Sequence, residues 1–176
     1  MPPTNDHDDT DREARYLATA AQMSLPADGE IRVGGHYAGL VEHAGIAYIS
    51  GQIPRVGDAV AVVGHVGAER TLDDAQRAAR ICVMRALALL RQQPGGLARV
   101  ERVLAMTVYT QSAPGFVRQS EVADAASDLL HDVLGTAGVH TRTSVGVSAL
   151  PKNAAVELNL VVALRPAPGH ATDRTT

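Results

Sequence analysis

Two stretches of helical period lie among apolar runs that alternate with period two, and this interleaving restricts the fold more than any other feature of the chain. Leu72, Ala75, Ala79, Cys82, Val83, Ala86, Leu87 and Leu90 recur at helical spacing. Thr71 is placed to cap that helix with Asp74 three residues on, and Pro94-Gly95-Gly96 stops it. A second helical stretch opens at Pro114, runs to about Leu134 and ends at Gly135. Strand-like runs surround them: 31–41, carrying Ile31, Val33, Tyr37 and Val41; Ile46 to Ser50; Val60 to Val63 after a Gly57-Asp58 turn; Val100 to Thr110; His140 to Ser148; and Ala154 to Leu164. The order β-β-β-α-β-α-β-β predicts one α/β (α+β) domain, a mixed sheet with two helices on one face. Its other face is left bare and calls for a partner, so self-association is expected.

Residues 1–13 carry Asp6, Asp8, Asp9 and Asp11 without an apolar period and read as a disordered tail, as do the Pro-, Gly- and Thr-rich residues 166–176. A single domain over 14–165 remains, with no linker or repeat inside it. Apolar residues are 45% of the chain and aromatics 3%, so the core is built of small aliphatics that bury little area each. The net charge is −3 and the one lysine is Lys152, which disfavours nucleic acid as a partner. The single cysteine, Cys82, rules out an intrachain disulfide or a cysteine metal cluster, and its place on the helical stripe reads as packing. The seven histidines lack metal-binding spacing; His65 and His140 read as surface or interface residues. The acidic start does not read as a signal peptide, and no apolar run is long enough to span a membrane. A soluble protein of a reducing, cytoplasmic compartment is expected.

The chemistry concentrates in the last two strand runs. In Thr141-Arg142-Thr143-Ser144-Val145-Gly146-Val147, alternation puts Arg142, Ser144 and Gly146 on one face. In the final run Glu157 and Asn159 share a face with Ala155 and Val161. The short Pro151-Lys152-Asn153 connection predicts a hairpin, with Arg142 and Glu157 on the same side. An arginine fork beside small residues suits a carboxylate ligand, a contact worth roughly 1.5–3 kcal/mol. An ion pair tying two strands together is the alternative reading. Tyr109 reads as core or cleft, and Gly34-Gly35 as a bulge or a point of close backbone approach.

Arg142-Thr-Ser-Val-Gly-Val-Ser-Ala-Leu-Pro followed by Ala155-Val-Glu157-Leu resembles the signature of the Rid (reactive intermediate deaminase) family, also called the YjgF family. Gly35-His-Tyr37 and Tyr48-Ile-Ser50-Gly51-Gln52-Ile-Pro54 match it in the same order, so the resemblance covers roughly residues 30 to 165. Ser112-Ala-Pro-Gly-Phe116 and Ala126-Ser-Asp-Leu-Leu130 point to a longer subgroup. The resemblance implies a chorismate-mutase-like fold and a homotrimer with clefts between subunits. It implies Arg142 as the residue binding the substrate carboxylate and Glu157 as the acid that positions or activates water. Tyr37, Ser50, Gly51 and Ser144 complete the implied substrate-binding set, with no metal and no cofactor. Ser144 stands where many deaminating members carry Cys, and a helix Asn of those members has no clear counterpart, Ala123 or Asp124 lying nearby. The implied activity is hydrolysis of small imino or enamino acids of the 2-aminoacrylate type to 2-keto acids and ammonia. A trimeric sensor of small 2-keto acids is the non-enzymatic alternative. Cleavage of RNA, attributed to some members, is disfavoured by the acidic balance.

Overall fold

A computed structural model describes residues 6–28, 31 and 34–168. Its main sheet has five strands in the order β1-β2-β7-β5-β6: β1 (Leu40–His43), β2 (Ile46–Gln52), β5 (Val100–Gln111), β6 (Thr141–Val147) and β7 (Val156–Leu164). The two-residue strands β3 (Arg55–Val56) and β4 (Ala59–Val60) form a separate small hairpin. The helices are α1 (Asp6–Gln22), α2 (Leu72–Arg91) and α3 (Gln119–Leu134).

The expected helical stripe is the inner face of α2: Ala75, Ala79, Cys82, Val83, Ala86, Leu87 and Leu90 are buried. Thr71 and Asp74 form the full capping box, each side chain accepting the other's backbone N–H. α2 packs on α3, β2 and β7, and α3 on β5 and β6. Along β7 every second residue, Val156, Leu158, Leu160, Val162 and Leu164, is buried under the helices. Glu157, Asn159, Val161 and Ala163 face the other way and are half-buried. On that uncovered side Tyr48 is 54% exposed and Val145 39%, so the face expected to be bare is bare in the single chain.

Four expectations need correction. Residues 6–13, expected in a disordered tail, begin α1; residues 1–5 lie outside the described chain. The helix is held by a residue every fourth position, Arg12, Tyr16 and Ala20, all buried. The first of these is a cation, which hides the apolar period. The Arg12 guanidinium donates to the carbonyls of Val100 (2.8 Å) and Leu97 (3.4 Å), and Arg91 lies 5.3 Å over the Tyr16 ring. The fold therefore has three helices. The first strand occupies only Leu40–His43: residues 34–37 are bends, and Arg32 and Val33 lie outside the described residues. The expected third strand, Val60 to Val63, is largely loop after β4, with Val63 making one bridge to Ala154. Of the C-terminal tail, Pro166–Pro168 have no regular structure and 169–176 lie outside the described residues.

The fourth correction concerns the site. β6 and β7 are not a hairpin. β6 runs parallel to β5, and β7 lies on the far side of β5 between it and β2. The connection arches over the end of β5, turning through left-handed backbone at Lys152 (φ 60°) and Asn153 (φ 57°). Gln111, the last residue of β5 and 1% exposed, holds the arch. Its amide donates to Asn153 Oδ1 (2.5 Å), and its carbonyl oxygen accepts from Leu150 N–H (2.7 Å). A short polar connection reads as a hairpin in sequence, whereas a buried amide underneath lets it cross a strand.

Candidate active site

Because β5 separates the two strands, Arg142 and Glu157 do not meet in one chain. Arg142 pairs in register with Met106, whose side chain is buried under the helices, so Arg142 points to the helix side. Glu157 pairs with Tyr109 and points to the uncovered side. The expected shared face is thus overturned, and with it an Arg142–Glu157 ion pair within the chain. The structure holds instead two separate clusters.

The first cluster forms around a bulge in β2. Ile49 pairs with Leu160 and Gln52 with Leu158, so β2 spends one more residue than β7 across this stretch. The bulge puts Gly51 under Glu157, where a methyl on Gly51 would overlap Glu157 Oε1. The missing side chain is the space the carboxylate occupies. Burial pushes the Glu157 carboxyl above the ordinary carboxylate range. Two depressions meet at this carboxylate. One, about 510 Å³, opens on the uncovered sheet face between Ser50, Gly51, Tyr109, Leu150 and Asn159. The other, a cleft of about 100 Å³, is walled by Tyr37, Arg55, Arg85 and Lys152. Ser50 anchors the bulge, its hydroxyl donating to Gly39 O (3.2 Å) while Gln52 Nε2 donates to Ser50 O (3.0 Å).

The second cluster surrounds Arg142. Its Nη1 donates to Asp124 Oδ1 (2.8 Å) and Ser127 Oγ (3.0 Å), two residues one turn apart on α3. His140 Nδ1 lies 2.6 Å from Gly138 O and its Nε2 3.1 Å from Ser127 Oγ. A carbonyl only accepts, so Nδ1 is the donor in the contact with Gly138 O. Arg142, Ser127, Gly138 and His140 line, with Asp128, His131 and Val139, a depression of about 330 Å³. One edge of the Arg142 fork is thereby tethered. Ser144, next on the same face of β6, is half-buried. Asp124 faces the arginine while Ala123 is buried.

Tyr37, Ser50, Gly51 and Glu157 are thus brought together, Arg142 and Ser144 lie apart from them, and Tyr109 is a cleft residue. Sequence reasoning missed Arg55, Arg85, Ser127 and the cleft position of Lys152. Arg85 had a readable signal: it is the one charged residue within Ile81–Leu90, where every other residue is buried. Cys82 is fully buried, with burial raising its thiol, and takes no part in the site. Among the described residues, no group of three or more His, Cys, Asp or Glu is placed to hold a metal ion. No described helix is long and apolar enough to cross a membrane.

The family model described as "YjgF/chorismate mutase-like, putative endoribonuclease" matches residues 15–164. Protein TCP17 of Trypanosoma cruzi is 40% identical over 118 residues, 66% of this chain and 74% of that protein. Among solved structures, Atu1372 of Agrobacterium tumefaciens, a protein of unknown function, superposes with a TM-score of 0.78 at 32% identity, covering 90% of this chain and 94% of the other. A Shewanella oneidensis protein described, like the family, as an endoribonuclease by inference superposes with a TM-score of 0.79 at 25% identity, covering 87% and 99%. Motif, architecture and relatives agree: the chain belongs to the Rid/YjgF family and has its chorismate-mutase-like fold.

Proposed function

We propose that this chain is a hydrolytic deaminase of small imino and enamino acids, working as a homotrimer whose sites each combine two subunits. Glu157 and Gly51 come from one copy and Arg142 from its neighbour. The observation that carries this reading is the half-buried Glu157 carboxylate, seated over the side-chain-free backbone of Gly51 where two depressions meet. An acid with a raised pKa in a cleft is suited to take and return protons. Arg142 is on the opposite sheet face of the same chain, so it completes such a site only from a second copy. The uncovered sheet face, with Val41, Tyr48, Leu104 and Val145 exposed, supplies apolar surface for assembly.

The chemistry follows from these groups. An enamine tautomerises to its imine, water adds to the C=N carbon, and ammonia leaves a 2-keto acid. Arg142 of the adjoining copy holds the substrate carboxylate through the edge of its fork not tied to Asp124, and draws electron density from the reacting carbon. Glu157 takes a proton from the attacking water and delivers it to the departing nitrogen. Free imines already hydrolyse in water, so positioning with modest acid–base help suffices. A net charge of −3 disfavours binding of an RNA backbone.

The test is to generate 2-aminoacrylate in situ and follow its decay with wild type, Arg142→Ala and Glu157→Gln. Wild type is expected to accelerate the decay and both variants to lose the acceleration. Equal rates in all three contradict the deaminase, and Arg142-dependent keto-acid binding alongside equal rates identifies a sensor.

A further inference from the structure

The cleft on the α2 side of Glu157 is more cationic than an uncharged side chain of the substrate would call for. Among the described residues, Arg55, Arg85 and Lys152 line it with Glu157 as its one carboxylate, three positive groups against one negative in a chain of net charge −3. Arg55 is presented by the β3–β4 hairpin and Arg85 by the rigid middle of α2, two unrelated elements converging on one small space. Burial above all, with Arg55 nearby, holds the Arg85 guanidinium below its ordinary value. A guanidinium pair in a low-dielectric wall focuses potential and matches the planar geometry of a carboxylate. The volume, about 100 Å³, admits a carboxylate and a few carbons.

Building on the proposed deaminase site, we infer that the substrate is a dicarboxylic imino acid: its α-carboxylate meets Arg142 of the adjoining copy, its reacting carbon lies over Glu157, and its side-chain carboxylate enters the cleft between Arg55 and Arg85. The subsite selects the side chain, while Arg142 and Glu157 serve the part common to all 2-imino acids.

A matched pair of product analogues tests this on the full-length protein. 2-Oxoglutarate and 2-oxopentanoate differ only in a terminal carboxylate replacing a methyl group, and calorimetric titration reads the ratio of their affinities. Wild type is expected to prefer the diacid by about tenfold or more, the scale of a charge-assisted fork contact. Arg55→Gln, on an outer hairpin, and Arg85→Gln are expected to collapse that ratio to about twofold or less, and Arg85→Lys to restore part of it. Arg142→Ala weakens both acids together. A wild-type ratio near one, or a ratio unchanged in Arg55→Gln, overturns the dicarboxylate assignment while leaving the deaminase reading standing. If wild type bound neither acid, the assignment of a keto-acid site would itself fall, and the subsite with it.

Discussion

Replacing Gly51 by alanine separates what this position does for the fold from what it does for the site. Gly51 does not use left-handed backbone, so alanine meets no conformational bar there. The added methyl lands on Glu157 Oε1, the far end of a flexible side chain, which rotates away more cheaply than the strand shifts. Displacing the carboxylate from its rotamer costs about 0.5–1.5 kcal/mol. Alanine recovers about 0.5–1 kcal/mol by narrowing the unfolded ensemble. The two nearly cancel, so thermal unfolding is expected to change by no more than about 1 kcal/mol. Imine hydrolysis is expected to fall about 10²-fold or more, because an acid–base group about 1 Å out of place forfeits its alignment. The same substitution in a Glu157→Gln background should cost almost nothing further, since both changes remove one contribution. Circular-dichroism melting and kcat/KM for an imine generated in situ check both sides. Gly51→Ala with near wild-type activity would refute the reasoning, and so would a collapse of stability, which would make Gly51 a backbone requirement.

Three further outcomes follow from the packing. Burial raises the Glu157 carboxyl above its ordinary value of 4.5, so its stabilising contribution is present below the unfolded value and is lost as pH rises through the folded one. Glu157→Gln should therefore gain stability relative to wild type across that window and hold the gain at neutral pH; melting temperatures that stay parallel from acid to neutral pH would contradict this. Arg12→Ala should destabilise by about 1.5–3 kcal/mol, because it removes charged hydrogen bonds to the carbonyls closing the sheet at Val100, and urea unfolding measures it. Gln111→Ala should cost about 1–3 kcal/mol by leaving Leu150 N–H and the Asn153 side chain without their buried partner; an unchanged midpoint would mean the arch over β5 does not depend on it.

Local signals were legible where one residue's chemistry decides the outcome. Thr71 and Asp74 start α2, Gly135 ends α3, and period-two alternation correctly assigns Arg142 and Glu157 each to a face of its own strand. Strand order was not legible, because alternation says which residues share a face within a strand and nothing about which strands are neighbours. Eight residues between Val147 and Val156 suit a hairpin, and the deciding feature, the Gln111 amide under the crossing, is forty residues away in sequence. The helix α1 escaped for a related reason: its anchor Arg12 is buried through carbonyls of a distant turn, which hydropathy scores as solvent-facing. Arg55 and Arg85 belong to elements thirty residues apart, and only the folded chain brings them beside Glu157.

Everything rests on the carboxylate and the guanidinium of one working site belonging to different copies. Mixing Arg142→Ala and Glu157→Gln proteins, each expected to be inactive alone, after reversible dissociation would form mixed trimers if the proposed assembly holds. About a quarter of the subunit junctions then carry an intact Glu157 facing an intact Arg142. The account predicts that imine hydrolysis returns to about that fraction of wild type. Mixtures that associate but stay as inactive as their parents would contradict it.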